Sequence, residues 1–320
     1  MNSWGTYIPT AILCGVLAAC CWGCADPSED TAGAPNGDQG LPWTGPAAEP
    51  SPRSAEALPD PNGCNGWSQL CGRRFDQVAY ATTHNAMANT DRGFHGPNQH
   101  HSIARQLAAG VRALMLDTYL EDGQTMLCHG VCLAGSQPLV EGLAEIEAFL
   151  AANPREVVTI IFESYISAQQ TQQAFEDSGL NPHLYHRPEG QGQDWPTLEE
   201  MIDAGERLVV LTDREGSQTG WHLDVWSLAW ETHYSARSAE DFTCNPNRGD
   251  TNNALFIFNH FLTNPIGLPE LAEQVNHNPL LGQRAEQCQN ASGKLPNFIT
   301  VDFYSIGDVL TVVNALNGVH

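Results

Sequence analysis

The chain has 320 residues and a formal net charge of −23 at pH 7, from 37 Asp and Glu against 14 Lys and Arg. That balance repels nucleic acid and anionic membrane surfaces, so neither is an expected electrostatic partner. The apolar share, 42%, is that of a globular protein with a substantial core. Lys294 is the only lysine, and every other fixed cation is an arginine. The acidic excess either solubilises the surface or supplies carboxylates to a divalent cation.

Residues Ile8 to Ala19 are mostly apolar and too short to cross a bilayer as a helix. They resemble the apolar core of a signal peptide. The run ends Leu17-Ala18-Ala19-Cys20, which looks like a bacterial lipoprotein cleavage site with Cys20 as the lipid-bearing residue. No Lys or Arg precedes it, as a typical signal would have, so a plain secretory signal is the alternative. Both place the mature chain outside the cytoplasm, secreted or lipid-anchored at a bacterial cell envelope. Residues 1–19 are read as signal and 20–63 as a tether, because Pro, Gly, Ala, Ser and acids dominate there. The folded domain spans 64–320.

Along that domain, strand-like and helix-like runs alternate. Val78–Thr83 is an apolar run ending on His84. Ser102 can cap a helix through Ala109, which Gly110 ends. Arg112–Asp117 is a second strand and Thr125–His129 a third. Pro138–Ala152 repeats Leu139, Leu143, Ile146 and Leu150 at helical spacing, and Asn153-Pro154 stops it. Val157–Glu163 is continuously apolar and β-branched, as in a strand covered on both faces. Thr171–Ser178 predicts a helix, as does Thr197–Ala204, where Thr197 and Glu200 have capping-box spacing. Arg207–Thr212 ends at Asp213, Ala254–Phe258 at Asn259-His260, and Phe298–Val301 at Asp302. Ile306–Leu316 is the closing helix.

This alternation predicts an α/β fold, either a (β/α)8 barrel or a doubly wound sheet. No glycine-rich phosphate loop follows the first strand, and polar groups recur at nearly every strand end. Both features favour the barrel. In an oxidising compartment the six cysteines of the domain read as disulfides. Proximity pairs Cys64 with Cys71, Cys128 with Cys132, and Cys244 with Cys288. The competing reading is a zinc site around His129 using Cys128 and Cys132.

Several segments are familiar in sequence. They include Thr83-His84-Asn85-Ala86, Asn98-Gln99, Gly110-Val111-Arg112, Cys128-His129-Gly130-Val131-Cys132 and Asn153-Pro154-Arg155-Glu156. Trp195-Pro196-Thr197-Leu198, Asn259-His260-Phe261, Pro296-Asn297-Phe298 and Val301-Asp302-Phe303-Tyr304 follow in order. With these the chain resembles the phosphatidylinositol-specific phospholipase C X-domain superfamily of PLC-like phosphodiesterases, and looks closest to its secreted microbial and fungal branch.

The resemblance implies a distorted TIM (β/α)8 barrel that cleaves phosphodiesters of a phospholipid or phosphoinositide headgroup. His84 matches the general base, His129 the general acid, and Asp302 the carboxylate behind the base. A cyclic phosphate would form first. Calcium-dependent members use Asn, Glu, Asp and Glu; Asn85, Asp117 and Glu163 match three of these, and Met115 stands where a glutamate would be. The resemblance therefore leaves two options, Ca²⁺ (Mg²⁺ second) at Asn85, Asp117 and Glu163, or a metal-free site. For Asp117 and Glu163 the other reading is ion pairing with Arg112. His260 and Asp213 either line the pocket or bond structurally. Trp230 and Tyr304 either wall a sugar or pack in the core. A monomer is expected. The functional alternative is a non-catalytic barrel that binds headgroups or glycans at a surface.

Overall fold

The structure is a computed structural model describing residues 60–320. The signal segment and nearly all of the tether lie outside the described residues. Among the described residues, no helix is long and apolar enough to cross a membrane.

Ten strands form one sheet: β1 Tyr80–Thr83, β2 Ala113–Glu121, β3 Gln124–Cys128, β4 Ser136–Pro138, β5 Val158–Ser164, β6 Leu208–Thr212, β7 His222–Asp224, β8 Ala229–Glu231, β9 Leu255–Asn259 and β10 Phe298–Val301. Eight of them run parallel in the order β7-β6-β5-β2-β1-β10-β9-β8. The path curls into a barrel left unjoined between β7 and β8, so the expected class holds with an open seam. β3 departs from the expected alternation. It returns antiparallel on β2, pairing Thr118 with Leu127, and β4 then pairs with β3. The hairpin turns at Asp122-Gly123, both at positive φ.

Two apolar clusters divide the strands by parity. Leu114, Leu116, Ile160, Phe162, Val210, Phe256, Phe258 and Ile299 face a layer of helices. Leu139, Leu143, Ile146 and Leu150 of α3 (Leu139–Ala152) and Phe175 of α4 (Ala168–Ser178) fill that layer. The alternate residues, Tyr80, Ala113, Ile161, Val209, Leu211, Ala229, Leu255, Ile257 and Phe298, meet inside the barrel. A period of two along each strand puts every second residue on the inner face. Continuing that parity to the C-terminal ends reaches His84, Asp117, Glu163, Asp213, Glu231, Asn259 and Asp302. The barrel is therefore apolar at its base and polar at one rim.

The helices close as local chemistry requires. They are α1 Ser68–Cys71, α2 Ile103–Ala108, α3 Leu139–Ala152, α4 Ala168–Ser178, α5 Leu198–Ala204, α6 Val225–Leu228, α7 Pro269–Val275, α8 Leu280–Ser292 and α9 Val309–Leu316. Thr197 and Glu200 form the expected capping box on α5, and Gly205 ends it in the left-handed region. Ser102 precedes α2 without a side-chain cap. The three disulfides pair as proximity predicted. Cys128 and Cys132 are thus bonded to each other, which removes them as zinc ligands.

Candidate active site

His84 follows β1, and its N–H donates to Val301 O at 3.0 Å. Gln99 Nε2 donates to His84 O at 2.9 Å and to Val301 O at 3.1 Å, stitching the ends of β1 and β10 together. The residues directly after His84 and Asp302, Asn85 and Phe303, both adopt φ 47°. Left-handed backbone in two non-glycine residues costs free energy that the surrounding bonds must offset. The two turns bring His84 Nδ1 to 2.9 Å from Asp302 Oδ1.

A carboxylate only accepts, so the His84 proton sits on Nδ1 and the Nε2 lone pair is left free. Asp302 is buried at 3% exposure. Phe261 stacks on the His84 ring at 3.9 Å between centroids and fixes its plane.

His129 follows β3, at the head of the Cys128–Cys132 loop. Its Nδ1 lies 3.0 Å from Asp117 Oδ2. The bond to Asp117 raises the His129 pKa above the ordinary imidazole value, outweighing partial burial. Burial in turn pushes the Asp117 carboxyl up, with neighbouring Glu163 adding to it. His129 is half exposed, whereas Asp117 is buried. The two imidazoles face one another with centroids 6.5 Å apart and planes 74° apart. Each has a carboxylate behind Nδ1 and an Nε2 left for a ligand. Such a pair can take a proton at one nitrogen and give one at the other.

Of the three expected cation ligands, Asp117 and Glu163 lie in register on β2 and β5, and Asn85 directly follows His84 beyond β1. Asn85 Nδ2 donates to Asn98 Oδ1 at 3.3 Å. Tyr165 Oη donates to Glu163 Oε1 at 2.5 Å. One oxygen is thus engaged on Asp117 and one on Glu163, and Asn85 Oδ1, Asp117 Oδ1 and Glu163 Oε2 remain. These are hard oxygen donors with two negative charges, a set that suits Ca²⁺ better than a softer metal. Holding His129 is a role of Asp117 that strand-end position alone did not reveal. Arg112 does not pair with Asp117 or Glu163; it bonds Glu156 at 2.6 Å.

The remaining rim residues divide. Asp213 accepts from Ser164 N at 2.8 Å. His260 is wholly buried, with Nε2 on Val275 O and Nδ1 facing Arg284. Burial and the adjacent guanidinium push it down to about 3, so it stays neutral and structural. Trp230 is buried and stacks on Phe256, and Tyr304 is buried too. Both are core residues. Sequence reasoning missed the network on β8: buried Glu231 takes Arg248 Nε at 2.6 Å and Asn259 Nδ2 at 3.0 Å. It also left Asn98 and Phe261 without roles, though both stand in the motif segments quoted above.

A family model described as PI-PLC X 1 matches residues 70–317. A PI-PLC X domain-containing protein of Arabidopsis thaliana is 30% identical over 278 residues, covering 78% of this chain and 64% of that protein. An uncharacterized secreted protein of Arthroderma benhamiae is 28% identical over 272 residues, covering 77% and 61%. The chain thus spans less than two thirds of these two relatives. A PI-PLC X domain-containing protein 1 of Arthroderma benhamiae is 28% identical over 279 residues, covering 80% of this chain and 89% of that one. Among solved structures, a mutant phosphatidylinositol-specific phospholipase C of Staphylococcus aureus superposes with TM-score 0.51 at 12% identity, covering 78% of this chain and 95% of that one. A second structure of that enzyme gives 0.55 at 11% identity, with 79% and 97% covered. That likeness supports the fold, and the match over 70–317 shows that the chain belongs to the PI-PLC X family.

Proposed function

We propose that the chain is a phosphodiesterase that cleaves the headgroup of a phospholipid or phosphoinositide, with His84 as general base and His129 as general acid. One observation carries this reading: two imidazoles 6.5 Å apart, each held at Nδ1 by its own buried carboxylate. His84 Nε2 takes the proton of a substrate hydroxyl neighbouring the phosphate. That oxygen bonds to phosphorus as the bond to the glycerol oxygen breaks, and His129 Nε2 gives its proton to the departing oxygen. The products are a cyclic phosphate and a diacylglycerol. Each proton transfer is worth about 10²–10⁴ in rate. Asp302 orients His84 and stabilises the imidazolium that forms, and Asp117 does the same for His129 before it gives up its proton. When bound at Asn85, Asp117 and Glu163, Ca²⁺ (Mg²⁺ second) would neutralise phosphate charge and acidify the attacking hydroxyl.

A lipid substrate is supported by where apolar surface is left open. The exposed large apolar side chains among the described residues are Leu120, Val131, Leu133, Tyr165, Tyr234, Ile266 and Leu268. Each lies at or beyond the C-terminal end of a strand, on the side of the histidine pair. Exposed apolar surface gathered at one rim suits a lipid–water interface. Export belongs to the same proposal, with attachment at Cys20 where the lipoprotein reading holds. The apolar Ile8–Ala19 run, three disulfides and a relative named as secreted support it. The secreted microbial and fungal branch is supported by the two Arthroderma relatives.

The test is turnover of the full chain on a panel of phospholipid vesicles and a soluble inositol phosphodiester, with Ca²⁺ or EDTA, read by phosphorus NMR. Cyclic phosphate that vanishes in H84A and H129A is expected. Retention of lipid without product under every condition would replace the enzyme with a binding module.

A further inference from the structure

The carboxylate behind His84 does not stand alone. Asp302 Oδ1 accepts from His84 Nδ1 at 2.9 Å and also from Asn98 Nδ2 at 3.1 Å. Asn98 is buried at 5% exposure and sits on the loop between β1 and α2. Its backbone is fixed at both ends: Asn98 N donates to Ala88 O at 2.8 Å, and Phe303 N donates to Asn98 O at 2.8 Å. The second bond clamps Asn98 to the residue following Asp302.

The polarity of this chain of bonds is set by charge. An ionised carboxylate can only accept, so Asn98 must turn its Nδ2 toward Asp302. Its Oδ1 then points at Asn85, which must answer with Nδ2, as the 3.3 Å contact records. Asn85 Oδ1 is thereby the amide atom left without a bond. On the other side of the carboxylate, a Cβ at Gly267 would sit 2.4 Å from Asp302 Oδ2 and 2.9 Å from Asn98 Nδ2. The absent side chain leaves the room in which the carboxylate holds this rotamer. Among the described residues no group donates to Oδ2, so both of the side-chain bonds to Asp302 fall on Oδ1.

We infer that Asn98 is a positioning residue: through Asp302 it holds His84 in the Nδ1–H tautomer, and through Asn85 it orients the free amide oxygen of the rim. The inference rests on the proposed base role of His84 for its catalytic meaning, but not for its geometry. It also gives two halves of the site one dependence. The same amide that aligns the base's carboxylate decides whether Asn85 offers an oxygen or a nitrogen to whatever enters. A cation or a substrate hydroxyl needs the oxygen.

The test pairs two variants with two readouts. Asn98→Ala removes the donor. Asn98→Asp keeps the size and replaces the donor with an acceptor opposite Asp302. Nitrogen-15 NMR of the imidazoles reads the His84 tautomer without turnover, and steady-state kinetics reads kcat apart from KM. The expected result is an Nδ1–H tautomer in the wild type and a mixture with Nε2–H in both variants. kcat should fall roughly tenfold to a hundredfold with KM within about twofold, a smaller loss than removing the carboxylate itself. If Asn98→Asp fails to fold, Asn98→Ala carries the test. A wild-type tautomer retained in folded Asn98→Ala overturns the inference, even if kcat falls. A tautomer shift in a protein that cleaves no phosphodiester sustains the positioning role and overturns only the proposed activity.

Discussion

The contact between Asp117 and His129 is the place where an electrostatic argument can be pressed hardest. His129 must carry a proton to serve as the acid, and the Asp117 bond raises its pKa. Asp117→Asn keeps a side chain of the same shape at 3.0 Å from Nδ1 but removes the charge. The His129 pKa then falls, so the alkaline limb of the kcat/KM profile moves toward lower pH. A charge-assisted hydrogen bond is worth about 1.5–3 kcal/mol, and the half exposure of His129 reduces that to about 1 kcal/mol. Losing that from the protonated form lowers the fraction of His129 that carries the proton, and kcat at neutral pH falls by up to about fivefold.

Stability gives a second, signed readout. A histidine whose folded pKa is raised adds stability below its unfolded value, and loses it as pH climbs through the folded one. Asp117, raised by burial, costs stability once it ionises without a charged partner. The Tm of Asp117→Asn should therefore lie below wild type in the pH window where Asp117 is ionised and His129 charged, and close that gap as pH climbs through the raised His129 pKa or falls through the raised Asp117 pKa. The assay is a pH series of initial rates on a phosphodiester reporter beside thermal melts in the same buffers. An alkaline limb that stays in place while kcat drops would show that Asp117 acts on something other than His129, and the reasoning fails.

Three further outcomes follow from the same geometry. His129→Ala should slow release of a glycerol leaving group by about 10²–10⁴, yet barely slow a nitrophenyl phosphodiester, whose leaving oxygen needs no proton; His84→Ala should slow both, and equal losses on the two substrates would remove His129 from the acid role. Gly267→Ala should cost catalysis more than stability, because its Cβ would fall 2.4 Å from Asp302 Oδ2; overpacking costs about 1–3 kcal/mol, read by melting, and unchanged turnover would show the carboxylate has room to spare. Leu133→Asp, at a side chain 94% exposed beside His129, should lower turnover on vesicles and spare a soluble substrate; equal rates on vesicles would take that loop out of lipid contact.

How much of this was legible beforehand depends on the range of the physics involved. β5 was readable because a strand buried on both faces shows as an unbroken β-branched run, Val157–Glu163. β7 and β8 were not, because three-residue strands such as His222–Asp224 are too short for any period to register. β3 was readable as a strand but not as antiparallel; the signal was Asp122-Gly123, a hairpin turn directly between two extended runs. That His84, His129 and Asp302 lie together was readable from strand ends and motif order. The partnership of Asp117 with His129 was hidden because their strands form a hairpin instead of successive barrel staves, and that register puts Thr118 opposite Leu127. Glu231 escaped notice because its strand did, and Arg248 because its loop carries no periodicity.

The two histidine–aspartate pairs use the same bond in different surroundings, and burial separates them. His84 is three-quarters covered, stacked flat on Phe261, with a carboxylate whose one oxygen is shared with Asn98. His129 has the Asp117 oxygen it bonds to itself and stands half in water, and that bond raises its pKa. What neither pair supplies is positive charge for the phosphate. Arg214 stacks on Tyr165 and bonds to Ser164, and Arg248 is bound to Glu231. On a chain of net charge −23, with Asp117, Glu163 and Asp302 around one mouth, an anionic substrate meets unfavourable charge unless the carboxylates are offset. The free oxygens of Asn85, Asp117 and Glu163 are where that offset would be placed, which makes the difference in rate between added Ca²⁺ and EDTA a test of the site's electrostatics as well as of its ligands.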